Sequence, residues 1–124
     1  MGERNAEGEL VISGQIIIPA ATPALHGASA HIGLEGLRGV DAPAYILAET
    51  IIEGVIHEPG NVVTEVPFTV RVIPEKITPK FEYALRVWID RDSDGKPGSG
   101  DLHSDERCRV FLDHPERLIK IKVV

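Results

Sequence analysis

The sequence predicts an all-β protein, an immunoglobulin-like antiparallel β-sandwich of about seven strands. Two observations lead to this fold class: apolar and polar residues alternate along short runs, and glycine or proline residues separate the runs. No stretch shows the apolar period of an amphipathic helix. The chain has 124 residues, 43% of them apolar, so it can bury a core of its own. We predict a flexible segment over residues 1–8 and a single β-sandwich domain over residues 9–124.

Three strands are predicted in the first half of the chain. The core-facing residues of the first two are Leu10, Ile12, Ile16 and Ile18, then Ala28, Ala30, Ile32 and Leu34. The polar partners in the second strand, residues 28–35, are Ser29, His31, Gly33 and Glu35. Pro19 ends the first strand because it lacks the N–H that a neighbouring strand needs. The third strand covers residues 44–56 and is expected to bulge near Gly54.

Four more strands follow. The core-facing residues of the fourth and fifth are Val66, Phe68, Val70 and Val72, then Tyr83, Leu85, Val87 and Ile89. Between them, residues 73–81 contain two prolines and predict a crossover between sheets, with one helical turn at 74–76. Tyr83 is a candidate tyrosine corner, whose hydroxyl bonds to backbone just upstream. The sixth strand is expected around residues 107–112 and the seventh over 119–123.

Residues 90–101 form an acidic loop with the spacing of a Ca²⁺ site. Aspartates occupy the first, third, fifth and twelfth positions, and Gly95 occupies the sixth. The predicted ligands are the carboxylates of Asp90, Asp92, Asp94 and Asp101, the backbone carbonyl of Lys96, and water near Gly98. These donors are hard oxygen, which selects Ca²⁺ over Zn²⁺ or Cu²⁺. The expected role of the ion is structural.

Three alternatives to this site stay open. Asp105 or Glu106 is a candidate for the closing ligand, because Asp101 is shorter than the glutamate that usually closes such a loop. His103 suggests a mixed aspartate and histidine site for a transition metal. Aspartate, serine, glycine and proline are also ordinary turn formers, so a solvated hairpin that binds nothing is the remaining alternative.

Charge and motifs exclude several classes of function. The net charge of −6 disfavours nucleic acid and anionic membrane surfaces as partners. No apolar run reaches the length of about 18 residues that a membrane span needs. The five histidines are dispersed, and neither a His-Glu-x-x-His motif nor a glycine-flanked serine elbow is present. We therefore predict that the protein is not an enzyme. The lone Cys108 is expected to pack as a small apolar side chain.

The fifth and sixth predicted strands carry a candidate partner-binding patch on the face opposite the core. Its members are Arg86, Trp88, Arg107, Arg109 and Phe111. Tryptophan and arginine are the residues most enriched among interface hot spots. The alternative is an intramolecular ladder in which the arginines cover Trp88 through cation–π contacts.

The order of residues from Gly14 to Leu85 resembles the YbaY/YscW family, bacterial outer-membrane lipoproteins and related type III secretion pilotins. The matching positions are Gly14, residues 28–35, residues 41–44 with Ala48 and Glu49, residues 66–68, Ile77, and residues 83–86. This chain differs from the family at Gly36, where an acidic residue is usual, and by the inserted acidic loop. It also carries no lipidation cysteine near Met1.

The resemblance implies an immunoglobulin-like, non-catalytic domain that binds or chaperones another protein in the periplasm or at the outer membrane. That location requires an export segment that this chain does not show, and a native start at Met1 would instead imply a cytoplasmic protein. The leading hypothesis is a Ca²⁺-binding β-sandwich of the cell envelope. The alternatives are an accessory domain of an enzyme and a purely structural domain whose acidic loop stays empty.

Overall fold

The computed structural model describes residues 10–37, 45–73, 82–104, 108–110 and 119–124. The strands are β1 (Leu10–Ile18), β2 (Leu25–Leu37), β3 (Tyr45–His57), β4 (Thr64–Val72), β5 (Glu82–Asp90), β6 (Leu102–His103), β7 (Cys108–Val110) and β8 (Ile119–Lys122). They form two packed sheets without a helix in the described ranges, which confirms the predicted all-β sandwich. Nor does this part of the chain hold a helix long and apolar enough to cross a membrane. The predicted flexible segment 1–8 lies outside the described residues.

The smaller sheet has the strand order β4-β1-β8. β1 and β4 are antiparallel, and their predicted inward rows are buried: Ile12, Ile16 and Ile18 on one strand, Phe68, Val70 and Val72 on the other. β8 runs parallel to β1, so the antiparallel expectation is wrong for this pair. The physical reason is the connection, because β8 enters this sheet from β7 in the other sheet and not through a hairpin.

The larger sheet has the order β3-β2-β5, with β6 and β7 both paired to β5. The predicted inward rows of β2 and β5 are buried and join the core of the smaller sheet. Gly54 has a φ of 73°, and the register between β2 and β3 shifts beside it, which confirms the predicted bulge. Glycine adopts this left-handed backbone without the steric cost that other residues carry.

Two strand boundaries differ from the sequence prediction. β2 begins at Leu25, before the predicted start at residue 28, because pairing with β3 continues across a second bulge at Gly27. The predicted sixth strand, around residues 107–112, corresponds to β7 (Cys108–Val110). A further short strand that was not predicted, β6 (Leu102–His103), precedes it and also pairs with β5. Cys108 packs against the core as expected.

The crossover after β4 is confirmed, because β4 belongs to the smaller sheet and β5 to the larger one. The predicted helical turn at residues 74–76 lies outside the described residues. Tyr83 is buried, with 3% of its surface exposed. The backbone bond of the tyrosine corner stays a prediction.

Candidate functional site

The loop between β5 and β6 is anchored on the start of β2, although its tip is exposed. Ser93 Oγ donates a hydrogen bond to the Gly27 carbonyl oxygen at 2.7 Å. Arg91 Nη1 donates to the Ala24 carbonyl oxygen at 2.6 Å. Gly95, with a φ of 80°, allows the sharp reversal between these anchors and the loop tip. The base of the loop is therefore attached to the larger sheet at defined points.

Three of the predicted ligands come together in the first half of this loop. One carboxylate oxygen each from Asp90, Asp92 and Asp94 lies within 4.8 Å of the others. Asp90 is fully buried at the end of β5, and its Oδ2 accepts a hydrogen bond from the Gly95 N–H at 2.7 Å. Its Oδ1 is buried and accepts no hydrogen bond from any described residue. A buried carboxylate oxygen without a partner is costly, and a cation is the partner that suits it.

The charges in this three-aspartate cluster oppose one another. The hydrogen bond that protonated Asp92 can donate to the Asp90 carboxylate, desolvation, and the negative charge of Asp94 together raise the pKa of Asp92 above its usual value. The folded state thus holds the Asp92 proton more tightly than the unfolded state does. Its contribution to stability consequently falls as the pH rises from the unfolded pKa through the folded pKa. A divalent cation would remove this repulsion.

Asp101 occupies the other end of the loop and is not a member of the cluster. Its Oδ1 accepts the Arg91 N–H at 3.0 Å, and its Oδ2 accepts the Trp88 Nε1–H and the Gly98 N–H, both at 2.9 Å. Desolvation raises the pKa of Asp101, but these three donors and the charge of His103 outweigh it, so the pKa lies below its usual value. The predicted ligand role of Asp101 stays a prediction, while its contacts close the base of the loop.

Only some of the remaining predicted metal ligands lie within the described residues. The Lys96 N–H donates to Asp94 Oδ1 at 2.9 Å, and ligation by the Lys96 carbonyl stays a prediction. Asp105 and Glu106 lie outside the described residues. His103 is exposed and pairs across from Trp88 in β6, and the described cluster contains no histidine. The side chains of this cluster, Asp90, Asp92 and Asp94, offer only oxygen atoms, which fits Ca²⁺.

A groove lies on the outer face of the larger sheet, next to this loop. It encloses about 150 Å³ and is lined by His31, Gly33, Glu35, Ile46, Glu49, Arg86 and Trp88. The Trp88 and His31 rings stack with centroids 4.4 Å apart and planes at 22°. Arg86 Nε lies 3.5 Å from Glu35 Oε1. Gly33 leaves the space between these two pairs open, because a Cβ there would have no atom within 4 Å.

The predicted partner-binding patch is partly visible. Arg86 and Trp88 face away from the core, as expected, and Arg109 is exposed on β7. Trp88 stacks on His31 and Arg109 pairs with Glu82 at 3.3 Å, so the described contacts differ from the predicted cation–π ladder. Arg107 and Phe111 lie outside the described residues.

Sequence reasoning missed that β2 lines this groove. The alternation in β2 correctly assigned His31, Gly33 and Glu35 to its polar face. The alternation does not show which strands are neighbours. In the structure β2 lies beside β5, and this pairing places His31 opposite Trp88. A histidine and a tryptophan at outward positions of two different strands were the signal available for that contact.

Replacing Trp88 with alanine is expected to lower the free energy of unfolding by about 1 to 2 kcal/mol, less than the cost of a buried aromatic. The reason is that Trp88 is half-buried, and its losses are the His31 stack and the Asp101 hydrogen bond. Urea denaturation measures the effect. Leu85→Ala is the comparison, because fully buried Leu85 faces the core from the same strand and should lose about 2 to 5 kcal/mol. An equal loss at both positions would contradict the outward assignment of Trp88.

The fold is similar to that of a secretion-system protein. An alternative pilotin from the type II secretion system of Vibrio cholerae aligns with 93% of this chain and 95% of its own, with a TM-score of 0.70 and 18% sequence identity. No protein-family model matches the sequence, and no curated protein does. At this identity the similarity is one of fold, and the chain has a pilotin-like β-sandwich.

Proposed function

We propose that this chain is a non-enzymatic β-sandwich of the cell envelope that binds a protein partner and holds Ca²⁺ in the loop between β5 and β6. The pilotin-like fold, which extends over 93% of the chain, carries the first part of this proposal. The second part is supported by the buried Oδ1 of Asp90, which has no hydrogen-bond partner among the described residues. Kinship with the YbaY/YscW lipoproteins, and a location in the periplasm or at the outer membrane, belong to the same proposal.

The partner docks on the outer face of the larger sheet. The groove at Gly33 has room for about one large side chain, and Ile46 and Ile51 are exposed beside it, at 62% and 51%. Trp88 supplies an aromatic wall, and Arg86 supplies hydrogen-bond donors. An apolar centre with an aromatic and an arginine anchor is the usual composition of an interface hot spot. The partner class is a protein component of a secretion system.

The cation is held by the three-aspartate cluster. Ca²⁺ takes six to eight oxygen ligands, so the carboxylates supply part of its shell and backbone carbonyls and water complete it. Binding neutralises a cluster in which hydrogen bonding to Asp90, desolvation and the charge of Asp94 raise the pKa of Asp92, and it gives the buried Asp90 oxygen a partner. The ion would hold the loop in place and would take part in no reaction.

Site-specific photocrosslinking tests the docking face. A photoreactive phenylalanine analogue at Ile46, in full-length protein expressed in its native host, is expected to yield one dominant adduct with another envelope protein. The same analogue at Val62, which is 75% exposed outside this face, is the matched control and should not yield it. Recovery of the protein in the envelope fraction tests its location in the same cells.

A second variant tests the groove itself. Gly33→Leu fills the opening without meeting another atom at its Cβ, so the fold should persist while the Ile46 adduct disappears. An adduct that survives Gly33→Leu, or equal adducts at Ile46 and Val62, would contradict docking in the groove. Labelling of no protein, together with an absence of Ca²⁺ binding, would favour a purely structural domain, and labelling of an enzyme subunit would favour an accessory domain.

A further inference from the structure

Trp88 is attached to the acidic loop by a side-chain hydrogen bond. Its Nε1–H donates to Asp101 Oδ2, and the same carboxylate accepts backbone N–H groups from Arg91 and Gly98. Asp101 therefore connects the first residue of the loop, a residue near its end, and the indole. An indole held in this way depends on the loop keeping its shape.

The three-aspartate cluster belongs to the same loop. Asp90 Oδ2 accepts the Gly95 N–H, and Asp94 Oδ1 accepts the Lys96 N–H, so these carboxylates define the first half of the loop. Residues 92–100 are all exposed, which means that little packing opposes their opening. Repulsion among the carboxylates favours the open loop, and a cation among them favours the closed one.

We infer that Ca²⁺ binding at Asp90, Asp92 and Asp94 sets the position of the Trp88 indole through Asp101. Asp101 is then a positioning residue, and the metal loop controls the aromatic wall of the groove. This inference rests on the proposed Ca²⁺ site. By linkage, an occupant that needs the positioned Trp88 would raise the Ca²⁺ affinity by the same factor as Ca²⁺ raises the affinity for the occupant.

The chain contains a single tryptophan, so its intrinsic fluorescence reports on Trp88 alone. Adding Ca²⁺ to chelator-treated, full-length protein is expected to shift the emission and to reduce acrylamide quenching by about half, as the open state of the loop is depopulated. The fluorescence change should follow the same Kd as calorimetry. Asp101→Asn should still bind Ca²⁺ but lose the fluorescence change, because its single amide oxygen can replace either Oδ1, which accepts the Arg91 N–H, or Oδ2, which accepts the indole N–H, so the connection between the two is broken.

The fluorescence titration also uses a control variant and a replacement variant. Glu65→Gln removes one exposed negative charge from β4 in the other sheet, and it should respond as the wild type does. Asp101→Ser, which keeps an acceptor for one N–H, replaces Asp101→Asn if circular dichroism shows that the asparagine variant does not fold. It should likewise bind Ca²⁺ with little change in fluorescence.

The outcomes separate this inference from the Ca²⁺ proposal. Calorimetric heat without any change in Trp88 fluorescence would overturn the inference and leave the Ca²⁺ site standing. A fluorescence change that persists in Asp101→Asn would overturn the role of Asp101. A loss of Ca²⁺ affinity beyond about tenfold in Asp101→Asn would make this residue a ligand instead. No heat in the wild type would overturn both proposals.

Discussion

Saturating Ca²⁺ is expected to stabilise the metal-free protein by about 2.7 kcal/mol at a hundredfold excess over Kd, or about 10 °C in Tm. The gain arises because the cation binds the folded loop, where Asp90, Asp92 and Asp94 lie together, and not the unfolded chain. Differential scanning calorimetry of chelator-treated protein, with and without the ion, measures the shift. Mg²⁺ should give a smaller shift, since it requires near-octahedral geometry and releases its water reluctantly.

Two variants, each of which removes one negative charge from the wild type, serve as the test and the control in this experiment. Asp92→Asn removes a ligand and one of the repelling charges, so its Tm without metal should equal or exceed that of the wild type, while the Ca²⁺ shift is lost. Glu65→Gln removes an exposed charge from the other sheet and should keep the full shift. A full shift in Asp92→Asn would show that the ion acts elsewhere on the protein.

Gly14→Ala is expected to destabilise the fold by about 1 to 3 kcal/mol, because the position has no room for a side chain. Gly14 lies in β1 directly opposite Phe68, and an added Cβ would overlap the Ile119 carbonyl oxygen and approach the Phe68 ring to 2.6 Å. The missing side chain allows Phe68 to cover the strand and β8 to lie close on the other side. Urea denaturation, with the free energy extrapolated to water, measures the loss.

The control is the same substitution in the other sheet. Gly33→Ala places its Cβ in the open groove and should change the free energy of unfolding by no more than about 0.5 kcal/mol. Gly14→Ala/Phe68→Leu should recover only part of the loss, because the clash with the Ile119 carbonyl remains. Equal stability of Gly14→Ala and Gly33→Ala would contradict the close packing at β1.

Alternation in the sequence predicts which residues face the core, and it does so for strands that are long enough to show a pattern. The rows through Ile12 and Ile16, and through Leu85 and Val87, are buried as expected. β6 was missed because Leu102–His103 is too short to alternate and lies in a polar stretch. The parallel pairing of β8 was missed because alternation carries no information about the direction or identity of a neighbouring strand.

The same limit applies to the candidate site. Local spacing correctly grouped Asp90, Asp92 and Asp94, since residues two apart in a tight loop stay close. It also grouped Asp101 with them by analogy to a loop between helices. Here two strands of a hairpin flank the loop, and the hairpin brings Asp101 back beside Trp88 and Arg91, whose N–H groups it accepts. The groove could not be predicted from local spacing, because it forms where β2 lies beside β5 and this pairing joins residues far apart in the sequence.

Isothermal titration of chelator-treated protein with Ca²⁺ tests directly the claim that the loop between β5 and β6 binds this ion. We expect saturable heat with a stoichiometry of about one ion per chain, since one cluster in the described residues offers three carboxylates. The heat should be lost in Asp92→Asn and kept in Glu65→Gln. An absence of heat in the folded wild type at millimolar Ca²⁺, or the same heat in Asp92→Asn, would contradict the claim and leave the loop as a solvated hairpin.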